Sequence, residues 1–247
     1  MQHSLQNKHL VARWNRMFQH LNAFEVLEHT LGSGKTGRVA LVSSFGAESV
    51  VLLHLLSRIN THTPVLFIDT QMLFAQTLAY QLEVTKRLGL TDVRTIRATA
   101  TDLQKTDPDN RLHKTAPDDC CYLRKTRPLQ QALAGFDTWI TGRKRHHSGF
   151  RTGLEYFGID GEGRITVNPL IHWGANELNA YMDRMELPRH PLLRRGYTSI
   201  GCAPCTSRTT AGEPARAGRW RGNEKQECGI HFMNGKALRP TRPEATS

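Results

Sequence analysis

Five cysteines punctuate this 247-residue chain, four of them as two close pairs, Cys120-Cys121 and Cys202-x-x-Cys205, and one, Cys228, alone near the C-terminus. The pairs are spaced as ligands are, and the lone thiol stands where a nucleophile could act. A C-x-x-C motif by itself serves zinc, iron–sulfur clusters and redox dithiols alike. The adjacent pair narrows the choice, because neighbouring side chains diverge and a single tetrahedral ion rarely takes both. A 4Fe-4S cubane spreads its irons over several ångströms, so two adjacent thiolates can reach different corners. A cluster held by Cys120, Cys121, Cys202 and Cys205 is the reading this favours, with zinc, a structural disulfide or no site at all as the alternatives.

Cys228 lies in the run Lys225-Gln226-Glu227-Cys228-Gly229-Ile230-His231. A thiol attacks as thiolate, and nearby cations lower its pKa. Arg216, Arg219, Arg221, Lys225 and His231 supply them in the same stretch. The bland alternative is an incidental exposed cysteine.

A third feature is Ser43-Ser44-Phe45-Gly46-Ala47-Glu48-Ser49, placed where an apolar run passes into a helical pattern. Helix N-terminal N–H groups and serine hydroxyls can cradle an anion there, and a glycine lets the backbone come close to it. Any strand-to-helix turn also favours Ser and Gly as caps, and the run lacks the Gly-Lys-Ser/Thr ending of a Walker A loop.

The elements that must position these groups follow from hydrophobic periodicity. Residues 9–31 read as one helix, 38–45 as a buried strand, and 47–59 as a helix. A strand at 64–69, a helix at 71–89 and strands at 93–97 and 137–141 follow, then a helix at 174–187 closed by Pro188. Residues 101–119 are polar, contain prolines and read as a loop. Strands alternating with helices predict an α/β, Rossmann-like parallel sheet flanked by helices. Residues 1–206 form the expected nucleotide- and cluster-binding domain, 207–234 a mobile C-terminal segment carrying Cys228, and 235–247 a disordered tail.

Charge and composition bound the function. The net charge is +11, and residues 189–247 carry 11 Lys or Arg against 4 Asp or Glu. Such an excess suits nucleic acid, a small polyanion or an acidic protein partner. Aromatics make up 7% of the chain and are not interleaved with the basic residues, so no stacking platform for single strands stands out. No apolar stretch reaches the length of a membrane span, and residues 1–9 have no signal-peptide core. A cytoplasmic location is the default expectation, and free cysteines fit a reducing compartment.

The Ser43–Ser49 loop resembles the pyrophosphate loop of the adenine nucleotide α-hydrolase superfamily, Ser-Gly-Gly-x-Asp-Ser. Ser44, Gly46 and Ser49 match; Phe45 and Glu48 depart. A wider resemblance runs from about Arg38 to His231. It rests on SSFGAES, Ile68-Asp69-Thr70, CCYLRK at 120–125, TGRKR at 141–145, NPL at 168–170, GCAPCT at 201–206, RAGRW at 216–220 and ECGIH at 227–231. By these motifs the chain resembles the assimilatory sulfonucleotide reductases, in particular the cluster-bearing adenylylsulfate (APS) reductases. The resemblance implies that Cys228 attacks the sulfur of APS, expels AMP and becomes an S-sulfocysteine. Reduced thioredoxin or glutaredoxin would then release sulfite. It further implies roles at the substrate for Lys125, Arg151, Arg216, Arg219 and His231, with Gly142, Arg143 and Asp69 or its neighbouring backbone near the nucleotide. Residues 70–74, Thr-Gln-Met-Leu-Phe, depart from many relatives, so phosphoadenylylsulfate (PAPS) is the second substrate expected. An oligomer of identical chains is compatible with this picture. The competing readings are an ATP-dependent tRNA-thiolating enzyme and a basic, metal-containing nucleic-acid-binding module.

Overall fold

The computed structural model describes residues 2–145, 151–222 and 225, and the strand residues 232–233 and 236–237. Cys228 and His231 lie outside the described residues.

A helical hairpin leads in. α1 (Gln2–Met17) and α2 (Ala23–Gly32) replace the single helix expected over 9–31. The break has a local cause: the Asn22 side chain accepts from the Phe24 and Glu25 N–H groups, and the Glu25 carboxylate accepts from the Asn22 N–H. This capping box starts a new helix.

The sheet follows: β1 (Val39–Ser43), β2 (Val65–Ile68), β3 (Val93–Ile96), β4 (Thr138–Ile140), β5 (Phe157–Ile159) and β6 (Ile165–Val167), in the spatial order β3-β2-β1-β4-β6-β5. All neighbours run parallel except the β5–β6 pair, which is antiparallel. The connections carry α3 (Ser49–Ser57), α4 (Ala75–Arg87), α5 (Ala100–Thr106), α6 (Leu112–Thr115), α7 (Pro117–Cys121) and α8 (Arg127–Leu133), and α9 (Ala175–Arg184) follows β6. Residues 101–119, expected as a loop, therefore carry three short helices. α7 and α8 are joined by a π-helical turn, Tyr122–Thr126, that includes Lys125. Two short strands, β7 (Phe232–Met233) and β8 (Lys236–Ala237), pair antiparallel near the C-terminus.

The strands alternate their side chains between two layers, as the period of two demands. Leu41, Val65, Phe67 and Ile140 join the core under α1, α2, α3 and α9, while Ala40, Leu66, Ile68 and Trp139 face Leu129 and Leu133 of α8. The α3 sequence SVVLLHLLS has Val50, Val51, Leu52, Leu53, Leu55 and Leu56 buried, so it is covered on nearly all sides. Strand order turns back between β1 and β4. In an open α/β sheet the crevice at such a switch point, outside the carboxyl ends of the strands, is where ligands bind. Among the described residues, no helix is long and apolar enough to cross a membrane.

Candidate functional site

The residues that follow β1 and β4 meet at that crevice around a cavity of about 240 Å³. β1 delivers Ser43, Ser44, Gly46 and Ser49; β4 delivers Thr141, Gly142, Arg143 and Lys144. Lys125, Arg151, Arg216 and Arg219 complete a strongly cationic lining.

The loop after β1 is shaped by its own hydroxyls. Ser43 Oγ accepts from the Phe45 N–H at 3.1 Å, and Ser49 Oγ accepts from the Gly46 N–H at 3.0 Å. Phe45 adopts the left-handed region (φ 47°), its ring buried against Phe67. A Cβ on Gly46 would lie 3.2 Å from the Ile200 carbonyl oxygen, tighter than ordinary packing, which explains a glycine there. Ser43 is thus occupied in building the turn, whereas Ser44 is exposed at the cavity.

After β4 the chain is held by polar contacts. Arg143 Nε donates to Asn168 Oδ1 (2.9 Å) and to Thr141 Oγ1 (3.2 Å), which ties TGRKR to the NPL segment. Lys144, buried, donates to Glu48 Oε2 at 2.8 Å. Burial pulls the Lys144 amine below its usual value, and Glu48 opposes that. Neither Glu48 nor Lys144 stood out as a site residue in the sequence, since a lysine in a basic string has no period to betray its burial.

Asp69 is placed differently from the others. It is buried but does not line the cavity; its neighbours Ile68 and Thr70 do. Its carboxylate accepts from the Gln71 N–H (2.8 Å) and pairs with Arg97 (2.9 Å), which fixes the turn after β2 with Gln71 at φ 59°.

Cys120, Cys121, Cys202 and Cys205 border one small void, together with Thr70, Met72, His113, Pro117, Arg124 and Lys125. None of the four is in a disulfide. Thr70, Lys125 and Cys202 line both this void and the larger cavity, so they form the wall between them. Burial pushes the Cys120 thiol up to about 11; Arg124 pulls against this, while the Cys202 and Cys205 sulfurs add to it. A buried group of thiols around one void favours thiolates when positive charge enters it. His113 Nδ1 is buried at this void without a hydrogen-bond partner among the described residues. Among those residues no three His, Cys, Asp or Glu side chains gather as ligands of a single metal ion do.

Arg124 braces the site from behind. It is 2% exposed, donates to Asp107 Oδ2 through Nη2 (2.7 Å) and Nε (3.2 Å), to Asn110 Oδ1 (2.7 Å) and to the Thr70 carbonyl (3.2 Å).

The segment after Cys205 is stitched back onto the cysteine motif. Ser207 N donates to Gly218 O (2.7 Å), Trp220 N donates to Cys205 O (3.1 Å), and Thr206 bridges Arg219. The Arg219 guanidinium lies 4.5 Å from the Trp220 ring centroid. Three residues before Cys228, Lys225 reaches the Pro117 carbonyl and the Asp118 carboxylate, at the start of the helix that bears Cys120.

Residues 38–208 match the model of the phosphoadenosine phosphosulfate reductase domain. The chain is 41% identical over 216 residues to the adenosine 5'-phosphosulfate reductase of Mesorhizobium japonicum, covering 87% of this chain and 85% of that one. It is 36% identical over 190 residues to adenosine 5'-phosphosulfate reductase 1 of Bacillus subtilis, covering 76% and 82%. Among solved structures it is similar to the phosphate complex of phosphoadenylyl-sulfate reductase from Candida auris, with a TM-score of 0.68 and 25% identity over 80% of this chain and 96% of that one. Yeast FAD synthetase shares the fold alone, at 15% identity over 82% of this chain and 75% of that one and a TM-score of 0.51. A phosphate-type loop, a cationic cavity at the sheet's switch point and two cysteine pairs behind its wall thus sit within a sequence match that covers most of the chain, and the chain belongs to the phosphoadenosine phosphosulfate reductase family.

Proposed function

We propose that the protein reduces adenylylsulfate to sulfite and AMP in sulfate assimilation, using Cys228 as nucleophile. The observation that carries this reading is the shared wall: Thr70, Lys125 and Cys202 separate a cationic, nucleotide-sized crevice from the cysteine void. The relatives named adenosine 5'-phosphosulfate reductase support APS as the substrate.

In APS a sulfate is joined to the α-phosphate of AMP, so its phosphosulfate resembles a pyrophosphate. Ser44, Gly46 and Ser49 at the start of α3 are suited to bind that group, and Gly142 and Arg143 to border the nucleotide. The Cys228 thiolate attacks the sulfur; a new S–S bond forms, the S–O bond to phosphate breaks, and AMP leaves with its electron pair. This covalent step divides one hard displacement into two. A thiolate of reduced thioredoxin or glutaredoxin then attacks the Cys228 sulfur. Sulfite leaves with the S–S electrons, and the redoxin's second thiol returns Cys228 to a thiolate. Two thiols supply the two electrons that sulfate reduction to sulfite needs.

Nucleophile and electrophile are both anionic, so their approach needs fixed cations. Lys125, Arg151, Arg216, Arg219 and Lys144 line the cavity and meet that need. Cys228 and His231 lie beyond the described residues, and the contact of Lys225 with Pro117 and Asp118 is consistent with the chain entering this region from the cysteine side.

Cys120, Cys121, Cys202 and Cys205 are the residues suited to hold a 4Fe-4S cluster. The four thiols border one void, and the adjacency of Cys120 and Cys121 suits two corners of a cubane better than one tetrahedral ion. When bound, the cluster supplies a charged, sulfur-rich body beside Lys125. The division proposed from the sequence is a domain over 1–206 and a segment over 207–234 that delivers Cys228.

PAPS is the second reading, favoured by the likeness to the Candida auris enzyme. Steady-state assays with reduced thioredoxin decide between the two. APS reduction preferred in kcat/KM by a hundredfold or more supports the proposal; preference for PAPS changes the substrate; release of pyrophosphate from ATP with neither reduced would replace the reading with tRNA thiolation.

A further inference from the structure

We propose that Gly201, the residue before the cluster-type ligand Cys202, is a positioning residue that sets the Arg219 guanidinium at the substrate. The inference rests on the reductase reading above. Gly201 is not in a left-handed conformation, so backbone freedom does not explain the glycine. Space does. A Cβ built on Gly201 would meet the Arg219 guanidinium on all three of its nearest contacts: Nη2, Cζ at 2.5 Å and Nη1 at 2.8 Å. The same guanidinium lies over the Trp220 ring, 4.5 Å to the centroid. The group lies in a slot bordered by a bare Cα and an indole ring, and a planar guanidinium suits such a contact better than an ammonium does.

The slot is assembled by the cysteine motif. Gly201 N donates to Thr206 Oγ1 (3.3 Å), Thr206 Oγ1 donates to Cys202 O (2.8 Å), and Trp220 N donates to Cys205 O (3.1 Å). Ser207 N donates to Gly218 O at 2.7 Å, and a Cβ on Gly218 would strike the Ser207 carbonyl oxygen, so the two strands approach backbone to backbone. Gly201, Cys202, Arg216 and Arg219 all line the ligand cavity. The backbone that presents two of the four thiols therefore also fixes the direction of an arginine at the anion. A cation held in place before its ligand arrives gives up less rotamer freedom on binding, which is where preorganisation gains affinity.

The clash a methyl group would cause is with the far end of a flexible side chain. Gly201→Ala should therefore leave the fold intact and move the guanidinium out of the slot. The test measures APS dissociation constants on the Cys228→Ser background, which prevents turnover, for the parent, G201A, R219A and the double variant, alongside iron content and thermal midpoint. A charge-assisted hydrogen bond lost corresponds to an affinity loss of roughly tenfold or more. We expect G201A to weaken APS binding by about tenfold at unchanged iron content and midpoint, and the double variant to bind no more weakly than R219A alone. If G201A lowers the midpoint, R219A must restore it, since all three nearest contacts belong to that side chain. G201A binding APS as tightly as the parent, or losses that multiply in the double variant, would overturn the proposal while leaving the reductase reading in place. A parent that binds neither APS nor PAPS would overturn both.

Discussion

Replacing Asp107 with Asn removes the charge that neutralises Arg124 while keeping the side chain's size. Both side chains are 2% exposed, and the guanidinium spends Nε and Nη2 on the Asp107 carboxylate. Asn110 and the Thr70 carbonyl remain as partners, but neither carries charge. Breaking a buried pair from one side leaves an uncompensated ion and costs about 3–5 kcal/mol. For a domain of this size each kcal/mol moves the thermal midpoint by about 2–4 °C, so D107N should melt roughly 6–20 °C below the parent. Asp107 also accepts from the Leu112 N–H (2.9 Å) through its other oxygen; an amide has one acceptor oxygen, which cannot serve both that N–H and Arg124, so the change also loosens the short helices that lead to Cys120. Iron content should fall with the midpoint. Anaerobic thermal unfolding by circular dichroism, with iron per chain measured on the same samples, reads both. D107N/R124M, which leaves no orphan charge, should recover much of the loss. A D107N midpoint within about 2 °C of the parent, or a double variant less stable than D107N, would show that the pair does not brace the site as argued.

Two further predictions concern protonation. His190 is fully buried, with Nε2 3.0 Å from Thr77 Oγ1 and Nδ1 accepting from the Leu192 N–H, and burial lowers it to about 4. The unfolded ring titrates near 6.5, so the unfolded chain binds more protons below that pH. Stability is full above about pH 6.5, falls as pH drops and levels off near pH 4, a total on the order of 3 kcal/mol. Urea unfolding should show a loss of about 2 kcal/mol between pH 6.5 and 5 that is absent in H190Q; equal losses would refute it. Glu48 offsets the burial that lowers the Lys144 amine, so in E48Q the lysine should lose its proton at lower pH than in the parent. kcat/KM for APS should then begin to fall at lower pH in E48Q, and superimposed profiles would remove Lys144 from the account.

Which parts of this were legible in the sequence follows from what made them so. β1, β2 and β4 are runs whose burial continues nearly from residue to residue, whereas β3 is an edge strand, VRTI, with Arg94 and Thr95 exposed. β5 and β6 were missed because no helix separates them, so they fall outside the strand–helix alternation, and what joins them is tertiary: Asp160 accepts from Trp139 Nε1 and from the Glu162 and Arg164 N–H groups. Residues 101–119 read as loop because they are polar and hold Pro108 and Pro117; their helices are anchored by the Asp107–Arg124 pair, between residues seventeen positions apart. The cysteine pairs announced themselves by type and spacing, and the phosphate-type loop by its place after β1. The resemblance put Asp69 or its neighbouring backbone near the nucleotide; Ile68 and Thr70 line the cavity, while the Asp69 carboxylate accepts from Gln71 and Arg97. The Glu48–Lys144 pair, spanning 96 positions, and the Gly201–Arg219 slot exist only once the chain is folded.

The central claim is covalent chemistry at Cys228 fed by a bound sulfonucleotide. Its most direct test is a single-turnover reaction of the anaerobically purified protein with APS, read by intact mass. The account predicts a gain of one sulfonate, about 80 Da, removed by reduced thioredoxin with release of sulfite and absent in Cys228→Ser. An iron-replete protein that gains no mass with APS or PAPS, or that gains it equally in Cys228→Ser, would contradict it.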